Sequence, residues 1–201
     1  MSERSLHVLA VVGSLNKNST TRAVVSHITE ELRGLGCHVD VLDFFFEPLA
    51  LFNPEESRQS AVYSRLQQRV DKADVYVLGT PDYHGSMSSA MKNFLDHFWH
   101  EFAGKLFVPV VSSHEKGLTV SDQIRTVARQ CYAWALPYAV SFVEREDVKD
   151  GQVTNQQFKR RLEMMVRDIR VYGNVLARQR AADLAGSDPG FMAQHRKTLR
   201  R

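Results

Sequence analysis

A short polar segment, TPDYHGS at residues 80–86, carries side chains suited to holding a flat ring. Pro81 fixes the backbone and favours a turn, and Gly85 allows another molecule to approach the backbone closely. Tyr83 offers a stacking face and His84 a polar edge. The segment therefore suits one wall of a ligand site, although an ordinary proline-glycine turn has the same composition.

A second polar segment, residues 13–22, joins an apolar run to a helical pattern. The start of a helix offers free N–H groups and a partial positive charge, which favour phosphate. A plain N-cap needs only one Ser, Thr or Asn, whereas this segment has several. We therefore favour a phosphate site, formed by hydroxyls, amides and cations: Ser14, Asn16, Lys17, Asn18, Ser19, Thr20, Thr21 and Arg22. The chain has neither a G-x-G-x-x-G nor a G-x-x-x-x-G-K-(S/T) motif, which argues against a dinucleotide Rossmann site and a P-loop.

The elements that must position these segments follow from the apolar pattern. Short apolar runs predict five buried strands, and apolar residues at helical spacing after each run predict helices. This alternation predicts an α/β flavodoxin-like three-layer sandwich with a five-stranded parallel sheet in the order 2-1-3-4-5. The loops after strands one, three and four would then meet at one edge, and Ser86 would cap the third helix. The predicted strands are residues 6–12, 39–42, 75–79, 106–111 and 138–143.

Composition limits the other possibilities. The 201 residues suit one domain, which we place at residues 1–182, followed by a mostly irregular basic tail at 183–201. The net charge of +3, without interleaved aromatic residues, argues against nucleic acid. No apolar run is long enough to cross a membrane and the N-terminus does not resemble a signal peptide, so we expect a cytoplasmic protein. Cys37 and Cys131 are expected to be buried, inert thiols.

The two polar segments together resemble those of the NAD(P)H-dependent FMN reductase family, whose flavodoxin-like members include quinone, azo-dye and chromate reductases. That family typically shows G-S-x-R-x-x-S after strand one. After strand three it shows P-(E/D)-Y-(N/H)-G-S, followed by L-K-N-x-(I/L)-D. The second motif matches nearly throughout, with Met91 in place of the leucine. The first departs at Asn16, which stands where the family has arginine, so that Lys17 or Arg22 would have to compensate.

The resemblance implies FMN as cofactor and NADPH or NADH as electron donor. It implies that the FMN phosphate is held by Ser14, Asn16, Ser19, Thr20 and Thr21. It implies that the isoalloxazine ring is contacted, largely through backbone groups, by Pro81, Asp82, Tyr83, His84 and Gly85. In the third loop, we expect Ser112, Ser113 and His114 to touch the flavin, with Glu115 and Lys116 as candidates for the substrate mouth. An ordinary solvated turn is the alternative for this third loop.

The implied reaction needs no catalytic side chain, because the flavin carries the chemistry. A nicotinamide would pass hydride to flavin N5. A small acceptor (free flavin, a quinone, an azo compound or a metal oxyanion) would then take the electrons at the same face. A flavodoxin-like electron carrier and a flavin-free binding module remain alternatives.

Partners and metals complete the expectations. Family members often form dimers through the helix after strand three, so we expect a homodimer or homotetramer. The aromatic segments Phe44–Phe46, Leu51–Phe52 and Phe94–Phe102 suit such an interface, unless they fill the core of the monomer. His97 and His100 have the spacing of metal ligands, but the aromatic stripe around them favours a structural role, and we expect no metal.

Overall fold

The computed structural model describes residues 5–114 and 117–196, which form a parallel sheet with helices on both faces. The strands are β1 (His7–Val12), β2 (His38–Asp43), β3 (Val75–Tyr83), β4 (Ser86–Met87), β5 (Leu106–Ser112), β6 (Trp134–Ala135), β7 (Val140–Phe142), β8 (Val148–Lys149) and β9 (Gln152–Val153). The helices are α1 (Thr20–Gly34), α2 (Ala61–Lys72), α3 (Ser89–Asp96), α4 (Leu118–Gln130), α5 (Glu144–Asp147) and α6 (Gln156–Ala185). Short 3₁₀ turns lie at Ser57–Gln59, His100–Phe102 and Phe191–His195.

The order of the parallel strands confirms the predicted flavodoxin-like sheet. The order is β2-β1-β3-β5, and both β6 and β7 pair with the outer edge of β5. The predicted fourth strand is β5, and the predicted fifth is β7, which is shorter than expected. Two short antiparallel pairs, β3–β4 and β8–β9, lie outside this pattern.

The central strands β1, β3 and β5 supply side chains to two cores, because successive residues point to opposite faces. Val8 and Ala10 of β1 pack under α1 and α6, whereas Leu9 and Val11 pack under α2, α3 and α4. Both faces are thus buried, which explains why the strands read as continuous apolar runs.

The aromatic stripe proposed for a dimer interface lies largely inside the monomer. Phe94, Phe98 and Phe102 are buried with their rings in contact, so they fill the core between α2, α3 and the sheet. Helix α3 ends at Asp96, earlier than the stripe predicts, and Trp99 beyond it is half exposed. The prediction of an interface from this stripe was therefore wrong, and the alternative of a monomer core is correct.

Both cysteines are buried, as predicted. Burial raises the pKa of the Cys37 thiol, and it raises the pKa of Cys131 to about 11. Since the thiolate is the reactive form, burial keeps both groups unreactive.

The C-terminal segment is more ordered than the sequence predicts. Helix α6 continues to Ala185, and Met192 and His195 of the following 3₁₀ turn are buried. The basic residues Lys197, Arg200 and Arg201 lie outside the described residues, and the domain boundary after residue 182 stays a prediction. Across the described ranges, none of the helices combines the length and apolar character that a membrane span requires.

A buried lysine closes the end of the sheet opposite the polar loops. Lys105 is only 1% exposed, and its Nζ donates hydrogen bonds to the carbonyl oxygens of Val70 at 2.7 Å and Asp71 at 3.0 Å. These carbonyls belong to the last turn of α2, and that of Val70 also accepts from the Ala73 N–H at 3.3 Å and from the Tyr76 hydroxyl at 2.6 Å. Desolvation, assisted by the charge of Arg180, lowers the pKa of Lys105 to about 7, against the opposing influence of nearby carboxylates such as Asp71.

This lysine makes stability depend on pH. Between pH about 7 and the ordinary lysine value of 10.5, the unfolded chain binds one more proton than the folded chain. The free energy of unfolding should therefore rise with pH across this window, by roughly 2–5 kcal/mol at about 1.4 kcal/mol per unit. Urea unfolding at several pH values measures it. Lys105→Met should remove the dependence, and Lys72→Met, at an exposed lysine in the last turn of α2, should retain it. An unchanged dependence in Lys105→Met would contradict the assignment.

Candidate functional site

The first polar loop leads directly into the N-terminus of α1. Ser19 caps the helix, since its Oγ accepts a hydrogen bond from the Arg22 N–H at 3.1 Å. Within the loop, Ser14 Oγ accepts from the Asn16 N–H at 3.4 Å, and Asn16 Oδ1 accepts from the Asn18 N–H at 3.0 Å. The loop is thus folded by its own side chains. The hydroxyl hydrogens of Ser14 and Ser19 remain available to donate to a ligand.

The second loop is a β-hairpin, and this corrects two predictions. Pro81 does not form the turn but lies in β3, opposite Ser112 of β5. Its missing N–H is tolerated there, because the pairing of β1 with β3 ends at Gly79. The tight turn is formed by His84 and Gly85, both with positive φ, as in a type I′ hairpin.

The cap of α3 is the second correction. Ser86 lies in β4, and Ser88 caps the helix by accepting from the Met91 N–H at 3.1 Å. The Ser88 hydroxyl also donates to the Gly13 carbonyl at 2.6 Å, which ties the first loop to the hairpin.

Two side chains hold the hairpin in place, one of them by a contact with the third loop and the other from α4. The Asp82 carboxylate accepts from the Gly85 N–H at 2.8 Å and from Ser113 Oγ at 3.0 Å. Gln123 of α4 accepts from the Met87 N–H at 3.1 Å and donates to the Gly85 carbonyl at 3.2 Å. Asp82 was predicted to contact the ring largely through backbone groups, and its carboxylate oxygens position the two loops. Gln123 was not predicted, since a glutamine on a helical surface has no sequence signal.

All residues predicted to contact FMN line one of two adjoining cavities at this edge of the sheet, whereas Lys17 and Arg22, proposed as cations of the phosphate site, line neither. The smaller, of about 160 Å³, lies in front of α1 and is lined by Ser14, Asn16, Ser19, Thr20, Thr21, Pro81, Asp82, Tyr83, Ser112, Ser113 and His114. The larger, of about 1020 Å³, is lined by His84 and Gly85 and shares Asp82, Ser113 and His114 with the smaller. Glu115 and Lys116, proposed for the substrate mouth, lie outside the described residues.

Further residues line the cavities without having been predicted. Glu144 reaches the smaller one, beside Asn18, which was predicted as part of the phosphate site. The larger one extends to the end of β7, to α5 and to Arg161 of α6. Site residues were predicted only in the loops after strands one, three and four. The predicted fifth strand, β7, ends at the same edge of the sheet, and its position could have indicated these further residues.

The two candidate cations of the first loop differ in role. The Arg22 guanidinium is paired with the Asp43 carboxylate at the end of β2, through two nitrogens. It also donates to the carbonyl oxygens of Asn16 at 3.1 Å and Lys17 at 2.9 Å. Arg22 therefore fixes the shape of the loop and is not free to replace the family arginine as a ligand, whereas the exposed Lys17 keeps that possibility.

The sequence profile of NADPH-dependent FMN reductases matches residues 6–147, which span all three loops of the site. The chain belongs to this family. It is similar to an NADPH azoreductase of Bacillus sp. (strain OY1-2), with 29% identity over 85% of this chain and 94% of the relative. It is also similar to the FMN-dependent NADPH-azoreductase of Staphylococcus aureus (strain USA300), with 25% identity over 80% of this chain and 92% of the relative.

A solved structure supports the fold. An NADH:FMN oxidoreductase in its apo form superimposes with a TM-score of 0.69, at 17% identity, over 84% of this chain and 90% of that one. At that identity the likeness bears on architecture alone. Membership of the FMN reductase family makes this chain an oxidoreductase that uses FMN and NAD(P)H.

The residues present fit FMN. A phosphate needs hydrogen-bond donors, and the loop offers the hydroxyls of Ser14 and Ser19 beside the first N–H groups of α1, which lack partners within the helix. A flat ring needs an open backbone surface. At Gly85 a Cβ atom would meet no protein atom within 4 Å, so the hairpin turn leaves that space free.

In an FMN reductase with this loop, removing the Arg22 guanidinium should weaken cofactor binding. Arg22→Met loses the Asp43 pair and both carbonyl contacts, so the loop loses its shape. We expect the dissociation constant of FMN to rise about tenfold and the free energy of unfolding to fall by about 1–3 kcal/mol. Fluorescence titration with FMN and urea unfolding measure the two effects. Arg33→Met, at the other end of α1, should leave FMN binding unchanged, and equal FMN affinities for the two variants would refute the assigned role.

Proposed function

We propose that this chain binds FMN across the two cavities and uses NADPH to reduce an azo compound, with quinones as a second class of acceptor. The observation that carries the proposal is the convergence of the three loops. Every residue assigned to FMN from the sequence lines one of two adjoining cavities. The azoreductase relatives support the choice of electron donor and acceptor.

The smaller cavity takes the phosphate end of the cofactor. Ser14 and Ser19 donate hydroxyl hydrogens, while Thr20 and Thr21 supply the first N–H groups of α1. Asn16 shapes the loop and lines the cavity. Hydroxyl and backbone donors fixed in this way bind a phosphate without needing an arginine.

The larger cavity takes the ring and the substrates. Asp82, His84 and Gly85 form its hairpin wall, while Pro81, Tyr83 and Ser112 line the adjoining smaller cavity. Ser113 and His114 line both cavities, so the third loop borders the ring as well. Bound FMN would supply the transfer of hydride and electrons from the nicotinamide to the acceptor. The chain holds the ring, keeps one face open and supplies donors.

The N-terminus of α4 would stabilise the negative charge that the flavin gains on reduction. Gly117 caps the helix without a side-chain hydrogen bond, and Leu118 and Thr119 of the first turn line the larger cavity. The unpaired N–H groups of a first turn, together with the helix dipole, stabilise negative charge. Because these donors are fixed before the reaction, they need not reorganise as the charge appears.

The absorption spectrum of the purified protein incubated with FMN tests the proposal, followed by anaerobic titration with NADPH. We expect a yellow protein whose flavin absorbance is bleached by NADPH and restored by an azo dye. A yellow protein that does not oxidise NADPH would indicate an electron carrier of flavodoxin type. A protein that stays colourless would indicate a flavin-free binding module, and either result would overturn the proposal.

We further propose that the chain forms a homodimer through the segment after β2. Phe46 and Leu51 are 69% and 81% exposed, and Arg22 lies 5.2 Å from the rings of both Phe45 and Phe46. This apolar surface adjoins the first loop, so a partner there would cover the edge of the FMN site. A homotetramer would need a second interface, and the cytoplasmic location remains a prediction of the sequence.

Sedimentation velocity tests the dimer. We expect the wild-type protein to sediment as a dimer and Leu51→Lys to shift it toward the monomer, because a charged side chain is costly at an apolar interface. Leu35→Lys, at an exposed leucine after α1, is the control and should leave the dimer intact. A monomeric wild-type protein, or a Leu51→Lys protein that remains dimeric, would disprove this interface.

A further inference from the structure

The larger cavity continues well beyond the residues assigned to FMN. Its volume of about 1020 Å³ lies at the upper end of the roughly 300–1,000 Å³ typical of ligand pockets. The wall opposite the hairpin is formed by the end of β7, by α5 and by Arg161 of α6. A molecule that stacks on the flavin therefore has a second wall within reach, and the side chains of that wall influence which molecules fit.

The charged groups of this second wall differ in their hydrogen bonding and in their exposure to solvent. Asp147 accepts a hydrogen bond from the Val143 N–H at 2.8 Å, so its carboxylate is used to start α5. Glu146 is exposed to solvent. On the hairpin side, Asp82 is held by Gly85 and Ser113, as described above.

Arg161 is the only lysine or arginine among the described residues that line this cavity. Its guanidinium lies 3.4 Å from the Ser141 carbonyl oxygen and 3.5 Å from that of Ala139, both at the outer limit of hydrogen bonding. Within the described residues it has no carboxylate within ion-pair distance, in contrast to Arg22 and Arg69. The guanidinium therefore retains donors that an oxyanion could engage.

We propose that Arg161 forms an oxyanion subsite in the larger cavity, which binds a phosphate or sulfonate group of the molecule docked on the flavin. The proposal rests on the proposed function, since it assumes that the ring lies against the hairpin wall. Two sources have this chemistry: the phosphates of NADPH and the sulfonate of an anionic azo dye. Both place a negative group at a distance from the reacting atoms, so Arg161 acts on binding and not on the chemical step.

The test compares two FMN-loaded proteins that differ by one neighbouring charge. Arg161→Gln removes the guanidinium from the cavity. Arg160→Gln removes the same charge from an exposed position beside it that does not line the cavity. Titration of the oxidised proteins with NADP⁺, followed by the flavin spectrum, gives a dissociation constant without turnover. Steady-state kinetics with a sulfonated dye and with its neutral analogue give KM for each acceptor.

If NADPH is the source, the dissociation constant of NADP⁺ should rise about five- to twentyfold in Arg161→Gln, with a shallower dependence on salt. If the acceptor is the source, KM for the sulfonated dye should rise by a similar factor, while KM for the neutral dye stays the same. In both cases kcat and FMN content should be unchanged, and Arg160→Gln should behave as the wild type.

Failure of the proposed function and failure of the Arg161 subsite would give different results. A wild-type protein that retains no FMN or does not oxidise NADPH overturns the proposed function and the subsite with it. A wild-type protein that does both, with Arg161→Gln equal to Arg160→Gln in every measurement, overturns the subsite alone.

Discussion

Two glycine residues, Gly13 and Gly79, allow α1 and α3 to pack closely against the ends of the strands, and the rest of the site depends on this packing. A Cβ atom at Gly79 would lie 2.5 Å from Val25 Cγ2 of α1, and one at Gly13 would lie 2.9 Å from Met91 Cβ of α3. Cβ atoms do not approach other carbons so closely, so both helices can reach the strand ends only because these residues are glycine. The Gly13 N–H donates to the Gly79 carbonyl at 2.7 Å and fixes the point from which both loops depart.

From that point, polar contacts pass from one loop to the next. Ser88 binds the Gly13 carbonyl, Asp82 binds the hairpin turn and Ser113, and Gln123 binds the hairpin from α4. Each of these side chains uses its polar atoms on backbone or on a neighbouring loop, so the cavity walls are set before any ligand arrives. A reductase whose cofactor carries the chemistry needs this kind of support, since the position and exposure of the ring decide what reacts with it.

The sequence predicted the sheet well because the central strands β1, β3 and β5 are buried on both faces and read as apolar runs. It placed the three loops correctly for the same reason, since parallel strands end at one edge. It misjudged Pro81, because a proline after an apolar run usually marks a turn. Here β3 continues past the end of β1, where the missing N–H has no partner to lose.

The apolar pattern of the sequence could not predict the second wall of the larger cavity. Arg161 lies on a helix that follows a short strand, a short helix and a small hairpin, and its position over the sheet edge depends on how those pieces fold. Gln123 likewise reaches the hairpin only through the packing of α4. Neither residue type carries a sequence signal for such a contact, whereas hydroxyl-rich loops and glycines do.

The exchange of the family arginine for Asn16 changes how the first loop can bind a phosphate. Asn16 orders the loop through its amide, and Arg22 holds the carbonyls of Asn16 and Lys17 while paired with Asp43. The charge of the loop thus stabilises its conformation, and the exposed Glu144 adds a negative group to the same cavity. In the proposed site, affinity for the phosphate then comes from hydroxyl and N–H donors held in place at the start of α1, with the exposed Lys17 as a further candidate. Such donors bind only in the correct geometry, so this loop depends on its scaffold more than one with an arginine ligand would.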